Sequence, residues 1–228
     1  MVDSTGGNRP GPYSFDSGSL RYRDPQTGRF VQTPTVFQDM LQQANQRFGD
    51  DPAEKARTWF RNKARNINVQ PNYILNAKPY ASKLNSTPGI GSMFLFRYDA
   101  KHKEDLPYWD MYPLIFPFNM TNDGFMGINM HYLPPYLRAR LMDALYSLTN
   151  NKRYDTSTKL RISYSILKGA SKFRYFEPCV KRYLNSQVRS RFMYIEPAEW
   201  DIALFLPLHQ FQKASAGKVW QDSRKVIR

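Results

Sequence analysis

The chain has 228 residues with 33 Lys or Arg against 19 Asp or Glu, a formal net charge of +14, and aromatics make up 15% of it. That aromatic content excludes a solvated polar tail, and a single cysteine, Cys179, excludes an internal disulfide framework or a cysteine-rich zinc module. No basic run leads into an apolar core after Met1 and no stretch approaches the ~18 apolar residues of a membrane span, so the expectation is a soluble, intracellularly made protein whose partner is a polyanion rather than a membrane.

Residues 1–33 read as an extended N-terminal arm, rich in Gly, Pro and Ser, with Asp24-Pro25-Gln26-Thr27-Gly28 as turn chemistry. Its Tyr13, Phe15, Tyr22 and Phe30 are anchors that could lie on a neighbour, and docking and disorder both stay open. Residues 34–66 read as a helical segment. Phe37, Met40, Leu41, Ala44 and Phe48 fall at helical spacing. A second helix starts at the Asp51 cap with Pro52 at its first position and carries Trp59, Phe60 and Ala64 inward. Arg57, Arg61 and Arg65 project from its other faces without an acidic partner at i+4, which suits an anion contact as well as a solvated face.

Residues 67–228 are expected to form an α+β core domain, opening with a loop that runs to residue 91. Then the period changes to that of strands in Met93–Tyr98, Leu114–Phe118 and Phe125–Leu133, an aromatic-rich antiparallel meander with a turn at Asn122-Asp123-Gly124. Pro113 and Pro117 would remove ladder donors, so the middle strand should be an edge or a bulged strand. A basic helical insertion is predicted over about 134–190. Leu137, Leu141, Ala144, Leu145 and Leu148 face inward in its first helix, with Arg138 and Arg140 outward. Arg161, Lys168 and Lys172 share the outer face of a second helix. A third helix, from Pro178, buries Val180, Leu184 and Val188 and exposes Lys181, Arg182 and Arg189. Phe192–Ile195 and Ile202–Leu206 are strand candidates returning to the sheet, which could be small and barrel-like. The tail from Lys213 is polar and basic, with Val219 and Trp220 as its anchor.

The charge is unevenly placed. Residues 136–195 hold thirteen basic groups against three acidic ones and residues 59–100 hold six against one, while residues 101–135 are net −2. An excess gathered on helices outside a neutral aromatic centre points to an anion-binding surface.

No catalytic, metal or cofactor site can be read. His102, His131 and His209 lack metal-pair spacing, and His131, within an aromatic strand, reads as a packed core histidine. No phosphate-cradling glycine motif occurs, and Cys179 reads as a buried structural thiol. The enzyme reading to test is a metal-dependent nuclease. It could be built on Asp99 and Lys101 with Glu104, Asp105 and Asp110, or on Glu199 with Asp201, against the simpler reading of turn and cap carboxylates.

Several runs resemble one family. They include Gly91-Ser92-Met93-Phe94-Leu95-Phe96-Arg97-Tyr98-Asp99-Ala100-Lys101, Leu106-Pro107-Tyr108-Trp109-Asp110-Met111-Tyr112-Pro113-Leu114 and Gly124-Phe125-Met126-Gly127-Ile128-Asn129-Met130-His131-Tyr132-Leu133-Pro134. Asn150-Asn151-Lys152-Arg153-Tyr154, Phe173-Arg174-Tyr175-Phe176-Glu177-Pro178-Cys179 and Glu199-Trp200-Asp201-Ile202-Ala203 extend the likeness. Over about residues 55–226 the chain resembles the DNA end protector, or head-completion, proteins of large contractile-tailed bacteriophages, with the arm outside. The resemblance implies a virion protein, made in the host bacterial cytoplasm, that shields the terminus of the packaged genome from exonucleases and brings no catalytic residues.

The resulting expectation is a non-enzymatic phage protein that holds linear double-stranded DNA through sequence-independent phosphate contacts, beside other virion proteins of the head-tail junction or tail. The contact set is Arg57, Arg61, Arg65, Arg138, Arg140, Arg161, Lys168, Lys172, Lys181, Arg182 and Arg189. Tyr175, Phe176 and Tyr183 are candidates for stacking on an exposed end, or else core residues. The alternatives are a structural component of the neck, tail or baseplate without a DNA role, and the nuclease.

Overall fold

The computed structural model describes residues 21–23, 30–32, 40, 43, 59, 62–64, 66–135, 137–138, 165, 168–169 and 174–227. Within the arm, β1 (Arg21–Arg23) pairs antiparallel with β2 (Phe30–Gln32). The helices expected from Pro34 to Arg65 lie mostly outside the described residues, although Met40 and Ala64 are buried in the main apolar cluster.

The stretch expected to be a loop up to residue 91 carries a short helix, α1 (Pro71–Asn76), and a 3₁₀ turn at Lys78–Lys83. Pro71 at the first turn and the buried Ile74 and Leu75 explain α1. Next come β3 (Leu84–Asn85), β4 (Met93–Leu95), β5 (Trp109–Asp110), β6 (Leu114–Thr121) and β7 (Gly124–Asn129). The chain then contributes β8 (Val180–Leu184), β9 (Phe192–Ile195), α2 (Trp200–Phe205), β10 (Phe211–Gln212) and α3 (Ala216–Ile227).

Six strands form one sheet in the order β3-β9-β4-β6-β7-β8, with every pairing antiparallel. Among the described residues β3 and β8 are the edge strands, and the sheet is open and does not close into a barrel. β6 is an interior strand whose register shifts between Pro117 and Asn119, a bulge placed where proline has no N–H to donate. Separately, β5 pairs with β10.

Alternation along the strands sorts the core into two layers. Met93, Leu95, Leu114, Phe116, Ile128, Met193 and Ile195 meet α2 and Val219 of α3 on one face. Phe94, Phe96, Tyr98, Ile115, Phe125, Tyr183 and Phe192 form an aromatic layer on the other. There Phe125 stacks on Tyr183 (5.4 Å, 25°), and Tyr98 meets the same ring edge-on at 5.0 Å.

Two expected elements come out differently. The segment after Pro178 is the edge strand β8 rather than a helix, with Tyr183 as its buried residue. Ile202–Leu206 belongs largely to α2, where Ile202 to Leu206 are all buried. The polar tail is the helix α3, whose Trp220 indole N–H donates to the His131 carbonyl (2.9 Å) and whose Ser223 hydroxyl donates to the Tyr132 carbonyl (2.8 Å). Among the described residues no helix is long and apolar enough to cross a membrane.

Candidate nucleic-acid interface

The cations expected to contact an anion divide sharply by position. Arg57, Arg61, Arg65, Arg140, Arg161 and Lys172 lie outside the described residues, and Lys168 is an exposed helical residue. Arg138 was expected to face outward but is only 1% exposed. Its guanidinium donates to the carbonyls of Leu133 (2.7 Å), Leu204 (2.6 Å) and His131 (3.4 Å), so it fastens the core and is buried away from any phosphate. Arg182, on β8, is exposed and forms a two-bond ion pair with Asp123 (2.7 and 2.9 Å). An exposed pair of this kind is easily exchanged for another anion.

β4 and the approach to β9 converge on a second basic feature. The Arg189 N–H donates to the Arg97 carbonyl (2.8 Å) and the Arg97 N–H donates to the Ser190 hydroxyl (2.8 Å), which sets the two arginines side by side. They line a cleft of ≈ 460 Å³ with Tyr98, Asp99, Lys103 and Met111. Asp99 is engaged by Lys103 at 2.6 Å. The Arg97 guanidinium is exposed and has no hydrogen bond or ion pair among the described residues, while Arg189 donates to the Ser186 carbonyl (2.9 Å) and the Gln187 side-chain oxygen (3.4 Å). Arg97 is absent from the sequence-derived set. Its only signal was its position as the cation at the end of an aromatic strand, within the net-positive 59–100 segment.

On the other side of Tyr98 lies a cavity of ≈ 490 Å³, enclosed by the aromatic face of the sheet and the 100–109 loop. Tyr98, Tyr108, Trp109, Tyr132 and Tyr183 wall it, and Asp110 is the one carboxylate-bearing residue among those lining it. Lys101 and His102 also line it and are exposed. Lys213, left-handed at φ 64°, holds the loop in place by donating to the carbonyls of Lys103, Glu104 and Leu106. Lys181 extends into this environment with its ammonium 4.2 Å from the Tyr132 ring centre. Burial pulls its pKa below the usual lysine value, with Cys179 acting weakly the other way, and among the described residues it has no carboxylate partner.

Asp110 is fully engaged. Its carboxylate accepts from His131 Nδ1 (2.7 Å), Asn129 Nδ2 (3.2 Å) and the N–H groups of Tyr112 (3.1 Å) and Gln210 (3.3 Å). Burial would raise its pKa, but the His131 interaction and these hydrogen bonds hold it below the usual carboxylate value. Burial in turn keeps His131 below the ordinary imidazole range and pushes the neighbouring His209 down to about 3. His131 is thus a core residue. Cys179 is buried as well, its thiol pushed up to about 12 by desolvation.

The nuclease carboxylates do not converge among the described residues. Asp99 pairs with Lys103, Asp110 with His131, and the buried Glu199 with Lys83 (2.8 Å), and no three His, Cys, Asp or Glu side chains gather to hold a metal ion. Of the stacking candidates, Tyr183 is core and Phe176 packs half-buried against the apolar cluster. Tyr175 stands in the 3₁₀ turn Arg174–Cys179.

Compared with known families, residues 26–226 match the family described as Phage T4 terminal DNA protecting protein. The chain belongs to this family of phage DNA end protectors. No curated protein and no solved structure matches the chain. The match covers the sheet, the Arg97–Arg189 cleft and the aromatic cavity together, and it includes β2 of the arm, which the sequence resemblance had left outside. As an end protector the chain is a DNA-binding structural protein of the phage particle.

Proposed function

We propose that this end protector holds the ends of packaged linear duplex DNA through phosphate contacts that read no base sequence. The observation carrying this reading is the pairing of Arg97 and Arg189 across the strand junction, with the Arg97 guanidinium free among the described residues and no carboxylate in the cleft except the engaged Asp99. Guanidinium groups suit phosphate oxygens because their forked donors bind two at once. Arg182, Arg191 and Lys101 are exposed on the same domain and would extend the contact along the backbone, as would the predicted Arg57, Arg61, Arg65, Arg140, Arg161, Lys168 and Lys172. Arg138, buried and bonded to three carbonyls, takes no part.

Held in this way, the protein excludes an exonuclease by occupying the terminus and needs no bond-making step of its own. The test is protection of linear duplex from a processive exonuclease. The expected outcome is protection by the native chain and a loss of about tenfold or more for the Arg97→Ala/Arg189→Ala variant, irrespective of terminal sequence. Full protection by the double variant would overturn the role of the cleft.

A further inference from the structure

We propose that the aromatic cavity beside the cleft receives the terminal nucleotide of a linear DNA strand, its base between the Tyr and Trp rings and its phosphate on Lys181. This rests on the DNA-binding reading above and goes beyond it, because phosphate contacts alone do not distinguish an end from the middle of a duplex.

Four features converge on this occupant. The cavity, at ≈ 490 Å³, falls in the range of about 300–1,000 Å³ typical of small-ligand sites. That suits one nucleotide. Its walls are rings, and ring faces stack on any base without reading it. One donor inside is unsatisfied, since Lys181 lines the cavity partly buried with only a tyrosine ring for its charge. Burying a cation without an anionic partner is unfavourable, and an entering phosphate supplies that partner. Nor does the wall repel it strongly, since both Asp110 oxygens are already taken up by four donors.

Placement makes the fourth point. Tyr98 lines both the cavity and the Arg97–Arg189 cleft, so a strand whose backbone lies on the arginines has its last nucleotide next to the cavity. On a blunt duplex the terminal pair must open before a base can enter. Single-nucleotide overhangs and frayed ends are therefore the preferred substrates.

The probe is a 5′-phosphorylated trinucleotide added to the full chain, read by quenching of tryptophan emission, alongside filter binding of a covalently closed circular duplex. Lys181→Met keeps the aliphatic stem on Tyr132 and removes the charge. The expected result is saturable quenching by the native chain, about tenfold weaker for Lys181→Met, with circular-duplex affinity the same for both. Lys181→Arg should restore most of the loss. Equal trinucleotide binding by native and Lys181→Met proteins, or no saturable quenching at all, overturns the proposal. Failure on circular duplex with the trinucleotide signal intact overturns the backbone-contact reading instead and leaves the cavity site standing.

Discussion

Arg138 binds three carbonyls: Leu133 and His131 just before it, and Leu204, 66 positions further along the chain. Desolvation lowers its pKa to about 10, which still leaves it charged at neutral pH, and the carbonyls take the place of water. Replacing it by Met removes every one of those donors at once. Arg138→Met should therefore cost about 3–5 kcal/mol in urea unfolding, while any fraction that stays folded binds DNA normally. A result near zero would mean water satisfies the carbonyls. Sequence pattern assigns such a residue to the surface by default, because a lone guanidinium is almost never buried. The partner from α2 lies 66 positions away and leaves no local trace. Arg97 was obscured for the opposite reason, since one arginine after four apolar residues looks like a strand end and only the meeting with Arg189 gives it a role. Cys179 and His131, by contrast, were legible, because each is embedded in apolar or aromatic sequence with no partner at catalytic spacing.

At the scale of elements, the meander was readable because β4, β6 and β7 are short aromatic-rich runs separated by turn signals, with Asn122-Asp123-Gly124 between β6 and β7. β8 was misread for a physical reason. Val180, Leu184 and Val188 are four residues apart, a spacing that fits one face of a helix and equally one face of a strand. α2 failed differently, since five consecutive buried apolar residues have no period at all. The pairing of β7 with β8 also explains Gly124. A Cβ built there would lie 1.9 Å from the Tyr183 carbonyl oxygen, and that oxygen is backbone within a pleated pair and cannot swing aside. Gly124→Ala should destabilise the fold by about 2–3 kcal/mol, lowering the urea midpoint at unchanged slope. It should also weaken the wall of the aromatic cavity, because Tyr183 belongs to both. An unchanged midpoint would place the edge strand in a looser register than the one described.

For the molecule as a whole, the net charge of +14 acquires a geometry. The sheet is covered on one face by helices and filled on the other by rings, and Arg97, Arg189 and Arg182 stand exposed at the junction of β4 with β9 and on β8. If about six phosphates are neutralised, the affinity for linear duplex should fall roughly a thousandfold between about 50 and 200 mM salt. A flat salt response in filter binding would remove the electrostatic basis of the interaction. The joining of Met40 and Ala64 to the main apolar cluster was not legible in the sequence, because contacts across tens of residues have no signature in spacing.

The sheet order carries one more consequence, for synthesis rather than for binding. β4 sits between β6, which follows it closely, and β9, whose Ile195 pairs with Met93 although it leaves the ribosome roughly a hundred residues later. Until that late strand arrives, the hydrogen-bonding edge of β4 stays open, and β3 has nothing to pair with. The six-stranded sheet is therefore completed only after β9 has been translated. During that interval the aromatic strands around the open edge of β4 are the segments most in need of shielding.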